Sequence, residues 1–221
     1  SMMDKLGILK RHGKRAWQFF WHEDSVLSWI ANIIVAFLVI RFVVYPLLGI
    51  VLGTGFPIVA VVSESMEQGL HQGIICGQQF DKFKESFDNY WDVCGKWYEE
   101  HGISKEQFQQ FPFQHGFRKG DVIILWRANA ENIKLGDILV FQGNRPQPII
   151  HRVVKIWQEN GNSYYHTKGD HNGASIDGSM GETQIGEERV LGKGLFRIPY
   201  LGWVKILFVD ALRPLGINIQ R

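Results

Sequence analysis

Residues Val59 to Gly69 read VAVVSESMEQG. Four small apolar residues of the kind that fill a buried strand run straight into Ser63-Glu64-Ser65, so a strand ends in two hydroxyls flanking a carboxylate. Outward from it, short apolar runs recur at Ile58-Val62, Val122-Trp126, Ile138-Phe141 and Ile149-Trp157, followed by SYYHTKGD, RVLGKGLFRI and YLGWVKILFV. RKGD and KLGD open two of these runs as turn signals. Strands parted by Gly-rich turns, with no alternating helices, predict a mainly β domain built on a curled, partly closed antiparallel sheet.

Two segments depart from that pattern. Between residues 77 and 117, Phe80, Phe83, Phe87, Tyr90, Trp91, Cys94, Trp97 and Tyr98 recur at helical spacing and predict an amphipathic helix with an aromatic stripe. In the following ISKEQFQQF, Ser104 can cap a shorter helix, Gln107 sits three residues on, and Ile103 can staple against Phe108. This is a helical insertion on the β domain, its stripe either packed inside or turned to lipid or a partner. Upstream, VLSWIANIIVAFLVIRFVVYPLLGIVLG, residues 26–53, exceeds the roughly 20 apolar residues that a helix needs to cross a bilayer. One retained N-terminal transmembrane helix is predicted there, rather than a cleaved signal peptide or a buried soluble helix. Arg41 falls late enough to reach the headgroups, and Pro46 kinks or ends the helix.

The 221 residues are 45% apolar and 21% charged with a net charge of +2, which excludes wholesale disorder and says little about partners. The charge distribution says more. Lys5, Lys10, Arg11, Lys14 and Arg15 against a lone Asp4 precede the span, placing the N-terminus in the cytoplasm and all that follows the span outside it. A short basic cluster beside a span fits topology better than groove binding, so no nucleic acid is expected. The expected layout is a cytoplasmic basic segment 1–25, an anchor 26–53, an extracytoplasmic β catalytic domain 54–210 and a C-terminal tail 211–221. GWVKILFVDALRPLG, interrupted by Lys205 and Asp210, is read as a last strand with an interfacial or docked turn rather than a second span. Outside the cytoplasm Cys76 and Cys94 are free to form a disulfide, and two free thiols are equally compatible. The chain has no zinc-site spacing and no phosphate-binding Gly motif, so neither a metal nor a cofactor is expected.

A serine becomes a nucleophile when a base takes its proton. Of the histidines, His151 lies inside the apolar run PIIHRVVKIW, sharing a face with Val153, while Arg152 points the other way with Ile150, Val154 and Ile156. Such a residue is either a core histidine bonded to the backbone or a base. His166, His171 and His115 are the alternatives. A base histidine is oriented by a carboxylate. TKGDHNGASID supplies Asp170 and Asp177, which also suit ordinary turns.

VVSESMEQG, GDILVFQ, IIHRVVKI, HTKGDHN and YLGWVKI fall in the order found in type I signal peptidases. The resemblance is to the archaeal and endoplasmic-reticulum branch, whose pattern runs Ser-x-Ser-Met-Glu-Pro, Gly-Asp-Ile-Val-Val-Phe, His-Arg-Val and Lys-Gly-Asp-Asn-Asn. It covers most of the chain after Val59 except the insertion, and an N-terminal span before the serine is typical. It implies Ser65 as nucleophile, His151 where the bacterial branch has a lysine, Asp170 and, more loosely, Asp177 as acidic partners, and an oxyanion hole from Ser63 and the Ser65 N–H. Gln68 stands in place of the proline, Glu64 in place of the usual glycine, and His171 in place of an asparagine; none of these removes a reacting side chain.

The expected activity is a membrane-bound serine endopeptidase that removes signal peptides from exported preproteins through an acyl-enzyme. Its partners would be preproteins, the lipid bilayer and the translocation machinery. Three rivals stand beside it: a Ser-Lys protease using Lys168 or Lys155, a tethered β domain that binds extended peptides without catalysis, and an envelope structural protein. The absence of Gly-x-Ser-x-Gly argues against an esterase or lipase.

Overall fold

The structure is a computed structural model that describes residues 25–204, 206 and 207. The basic segment and the tail expected at 211–221 lie outside those residues. The chain divides into two units, Ser1–Val51 and Leu52–Arg221.

Helix α1 runs through Val26–Leu52, long and apolar enough to cross a membrane. At 1.5 Å per residue it measures about 40 Å against a hydrocarbon core of about 30 Å. Ser25 caps it by accepting from the Ser28 N–H, and its apolar side chains are exposed along its length. Of the two outcomes open to Pro46, a kink or an end, it does not end the helix, which stops at Leu52 within the expected range. A π turn at Ile40–Val44, with the Tyr45 N–H donating to Ile40 O, absorbs the proline, and the helix resumes to Leu52.

The second unit is a curled antiparallel sheet. Its strands are β1 (Ile58–Ala60), β4 (Val122–Trp126), β5 (Ile138–Phe141), β6 (Ile149–Glu159), β7 (Asn162–Lys168), β8 (Ile185–Gly186) and β9 (Val190–Ile198). They lie in the order β1-β4-β9-β5-β6-β7-β8. A separate hairpin pairs β2 (Ile74–Ile75) with β3 (Gln78–Gln79). The sheet curls because its apolar residues are needed on both sides. On β5, Ile138 and Val140 enter one core with Val61, Met66 and Ile123, while Leu139 and Phe141 enter another with Val153, Tyr165 and Ile185. Four apolar runs therefore became strands close to where the sequence put them. The run YLGWVKILFV did not: Tyr200 to Gly202 form a turn, and Trp203, Val204, Ile206 and Leu207 are helical.

The insertion folds as α2 (Phe87–Glu100) and α3 (Lys105–Gln109). Helix α2 begins at its cap Ser86, whose side chain accepts from the Asn89 N–H, so Phe80 and Phe83 pack beside the helix rather than on it. Ser104 caps α3 as expected, accepting from the Gln107 N–H. The aromatic stripe is packing: Tyr90, Trp91, Cys94, Tyr98, Ile103 and Phe108 form a core with Val154 of β6. Cys76 and Cys94 are joined in a disulfide, so of the two states open to them they occupy the oxidised one.

Candidate active site

The strand that opens the nucleophile segment lies at the sheet's edge. Leu125 N–H donates to Pro57 O, Val61 N–H to Asp121 O and Gly120 N–H to Val61 O. Backbone groups of odd-numbered residues thus face β4, and those of Ile58, Ala60 and Val62 face the open edge. After Val62 the chain turns through Ser63-Glu64-Ser65, where the two hydroxyls lie 3.1 Å apart. Glu64 points away, as its alternation required, and pairs with Lys119 at 3.0 Å. Partial burial pushes its carboxyl upward, but the Lys119 hydrogen bond wins and holds it below the usual carboxylate value.

A groove of about 390 Å³ runs along this edge, lined by Val59, Ala60, Val62, Ser63 and Ser65 on one side and by Arg145, Gln147 to His151 and Met180 on the other. In a flat sheet β1 and β6, four strands apart, would stand roughly 19 Å from one another. The curl closes that gap and brings Ser65 and His151 to one cavity.

His151 is buried and paired with Leu139 in the sheet. Its Nδ1 lies 2.5 Å from Glu182 Oε2, which also accepts from Thr167 Oγ1 at 3.2 Å, while the Ile176 N–H donates to Oε1. With Nδ1 engaged by a carboxylate, the neutral ring carries its proton there and leaves Nε2 as an acceptor. Gly169 marks where Nε2 points. A Cβ on this residue would lie 2.9 Å from His151 Nε2 and 2.7 Å from Ser65 O, so only glycine lets the chain pass between them. The described residues form no direct Ser65–His151 hydrogen bond and no Ser–Lys one.

Asp170 is not the histidine's partner. Its carboxylate receives Arg152 Nε at 2.8 Å and Arg152 Nη2 at 2.7 Å, with both residues fully buried. Tyr98 OH and Gln68 Nε2 add 3.2 and 3.0 Å contacts. The reason is the pleat. His151 and Arg152 are neighbours on β6 and point to opposite faces, so the carboxylate on the arginine side is lost to the histidine. Asp177 is exposed, and among the described residues its carboxylate makes no hydrogen bond. Both aspartates expected to orient His151 are therefore replaced by Glu182, which the sequence reading missed. Its only signal was membership of an acid-rich stretch that also holds Asp170, Asp177, Glu187 and Glu188.

Two further groups belong to the surroundings. Lys168 Nζ donates to Tyr98 OH at 3.4 Å and Gly169 O at 3.1 Å, and lies over the rings of Trp97 and Tyr98. Burial lowers it from the usual lysine value of 10.5 to about 8. Lys155, the other lysine considered as a base, is exposed. His171, the second imidazole near the site, is half-buried and lowered by that burial; its Nδ1 lies 3.2 Å from Glu67 O.

No family profile matches the chain. Among curated proteins it is similar to the signal peptidase complex catalytic subunit SEC11C of Homo sapiens, 34% identical over 98 residues that make up 42% of this chain and 51% of that protein. The corresponding sec11 subunit of Sclerotinia sclerotiorum is 34% identical over 98 residues, 42% of this chain and 57% of the relative. That of Metarhizium robertsii is 30% identical over 98 residues, with the same coverages of 42% and 57%. The chain thus spans about half the length of the curated relatives it matches. These findings correct the branch read from the sequence. The relatives come from a mammal and two fungi, which leaves the archaeal attribution without support, and the described residues contain no Ser-His-Asp triad.

Proposed function

We propose that the chain is a membrane-bound serine endopeptidase that removes signal peptides from exported preproteins. The observation that carries this reading is the convergence of Ser65 and His151 on one groove beside a free strand edge. The partial similarity to signal peptidase catalytic subunits and the membrane-length helix support it.

In this reading His151 Nε2 takes the Ser65 proton as Oγ attacks the scissile carbonyl, and Glu182 holds the ring and stabilises the imidazolium. The imidazolium then protonates the leaving amine. Water attacks the acyl-enzyme with His151 again as base, and Ser65 recovers its proton. Ser63 Oγ and the Ser65 N–H stabilise the oxyanion, each donor worth about 3 kcal/mol. An extended substrate pairs with the open backbone groups of Ile58, Ala60 and Val62, which lead it to Ser65. Val62, Ile149, Ile150 and Met180 offer apolar walls suited to small side chains. Lys168 is a poorer base because its ammonium is spent on Tyr98 and Gly169.

The basic segment at 1–25 lies in the cytoplasm, residues 26–53 form the anchor, and the β domain works outside. At most roughly 45 Å of chain separates Leu52 from Ser65, which bounds how far the serine can stand from the end of the anchor. Preproteins, lipid and the translocation machinery are the partners. The test is cleavage of a preprotein by wild type, Ser65→Ala and His151→Ala in detergent, with the product N-terminus sequenced. A single cut lost in both variants is expected. No cut by wild type, with peptide binding retained, would favour a tethered binding domain instead.

A further inference from the structure

Tyr90, Cys94 and Tyr98 are spaced four apart on α2 and all are buried, so they form one inward face of the helix. That face meets the loop after β7. Tyr90 OH donates to Asp170 O at 2.9 Å, and Tyr98 OH to Asp170 Oδ1 at 3.2 Å. Cys94 is bonded to Cys76, whose backbone N–H donates to His171 O at 2.9 Å. The Cys76 sulfur also lies 3.4 Å from Asp170 O, a contact rather than a hydrogen bond because a disulfide sulfur has no proton. Asp170 and His171 are thus held from behind.

The same two residues hold the nucleophile segment in front. His171 N–H donates to Ser65 O at 2.9 Å, and Gln68 Nε2 donates to Asp170 Oδ2 at 3.0 Å. Asp170 N–H donates to the Met66 sulfur at 3.4 Å. A continuous chain of contacts runs from the insertion through Asp170 and His171 to Ser65.

We propose that the Tyr90–Cys94–Tyr98 face is a positioning element for Ser65, fixing where its hydroxyl stands relative to His151. The inference rests on the serine-hydrolase reading of the site. The Arg152–Asp170 ion pair anchors the loop independently, so losing one tyrosine hydroxyl loosens the loop without unfolding the domain. Misplacing a reacting group by about 1 Å is enough to cost on the order of 10²-fold in rate. Reduction of the disulfide acts the same way. A dithiol delivers two electrons and two protons to the two sulfurs, leaves as its own disulfide, and detaches Cys76 from α2.

The test uses the full chain as Tyr90→Phe, Tyr98→Phe and wild type reduced with dithiothreitol, since phenylalanine keeps the ring packing and removes only the hydroxyl. Three quantities are read: the rate at which a fluorophosphonate probe labels Ser65, amide hydrogen exchange across residues 63–68, and kcat and KM on a cleaved preprotein. Tyr98→Phe removes a hydrogen bond to the Asp170 carboxylate and Tyr90→Phe one to its backbone carbonyl, so labelling slowed about tenfold in the first and less in the second is expected, with lowered kcat, little-changed KM and faster exchange at 63–68. Wild-type labelling and exchange in both variants and in the reduced protein would overturn the proposal. Should wild-type Ser65 never be labelled, the hydrolase reading fails by itself. Exchange at 63–68 then still decides the positioning claim: faster exchange sustains it and unchanged exchange overturns it.

Discussion

Replacing Arg152 with methionine tests the electrostatic arrangement of the domain. All five guanidinium N–H donors are used. Two go to Asp170, and the other three go to Pro112 O and Gly136 O from Nη1 and to Phe113 O from Nη2. The cation also sits 4.7 Å from the centroid of the Phe108 ring. Methionine fills much of the volume but leaves a buried carboxylate without its cation and three carbonyls without donors. Breaking a buried pair from one side costs about 3–5 kcal/mol. For a unit of this size each kcal/mol moves Tm by about 2–4 °C, so a fall of roughly 10–15 °C is expected. Thermal unfolding followed by circular dichroism in detergent reads it. The double variant Arg152→Met, Asp170→Leu removes both charges and should recover at least about 2 kcal/mol, a strong non-additivity. An Arg152→Met protein within about 1 kcal/mol of wild type, or strictly additive effects, would refute the reasoning.

Glu182→Gln should lower cleavage on the order of 10³-fold, because an amide that donates to Nδ1 moves the ring proton to Nε2, where it faces the serine; Asp177→Asn should leave activity unchanged, and the opposite ranking would restore the aspartate. Lys168 gives a pH signature. Its folded value of about 8 lies below the unfolded 10.5, so between those pH values the unfolded chain binds the extra proton and stability rises with pH. Unfolding free energy should climb by roughly 2–3 kcal/mol from pH 8 to 10 relative to Lys168→Met, and a flat difference would contradict it. Above about pH 10 the unfolding free energy of both proteins should fall with pH, because burial raises Tyr90 and Tyr98 well above the usual tyrosine value and keeps them protonated while the unfolded tyrosines ionise. Removing the disulfide with Cys76→Ser and Cys94→Ser, which closes a loop of sequence separation 18, should cost about 3 kcal/mol in chemical denaturation.

Much of this was legible in local pattern. Period-two alternation put His151 and Arg152 on opposite faces of β6, but it failed at Ile156: a bulge between Val153 and Lys155 shifts the register, so Ile156, opposite Tyr165, falls on the face of Val153 rather than that of Arg152. Cap chemistry found Ser104 from its neighbours in sequence. What failed depended on who meets whom across the sheet. Asp170 follows Lys-Gly in a turn and looks free to serve a histidine, yet the adjacent arginine claims it from the opposite face of β6. Glu182 reaches His151 only because the loop after β7 folds back over Thr167, whose N–H donates to Glu182 O at 2.9 Å. The helix start slipped from Phe80 to Phe87 because aromatic spacing continued past the true cap, Ser86. Trp203 and its neighbours read as strand by composition, but the turn at Tyr200–Gly202 sends them into a helix.

The most direct measurement of the central claim is mass-spectrometric mapping of a fluorophosphonate adduct on wild type, His151→Ala and Lys168→Met. Adduct on Ser65 in wild type and in Lys168→Met, and none in His151→Ala, is the expected result. A Ser65 adduct that survives loss of His151, or one that disappears only with Lys168, would contradict it.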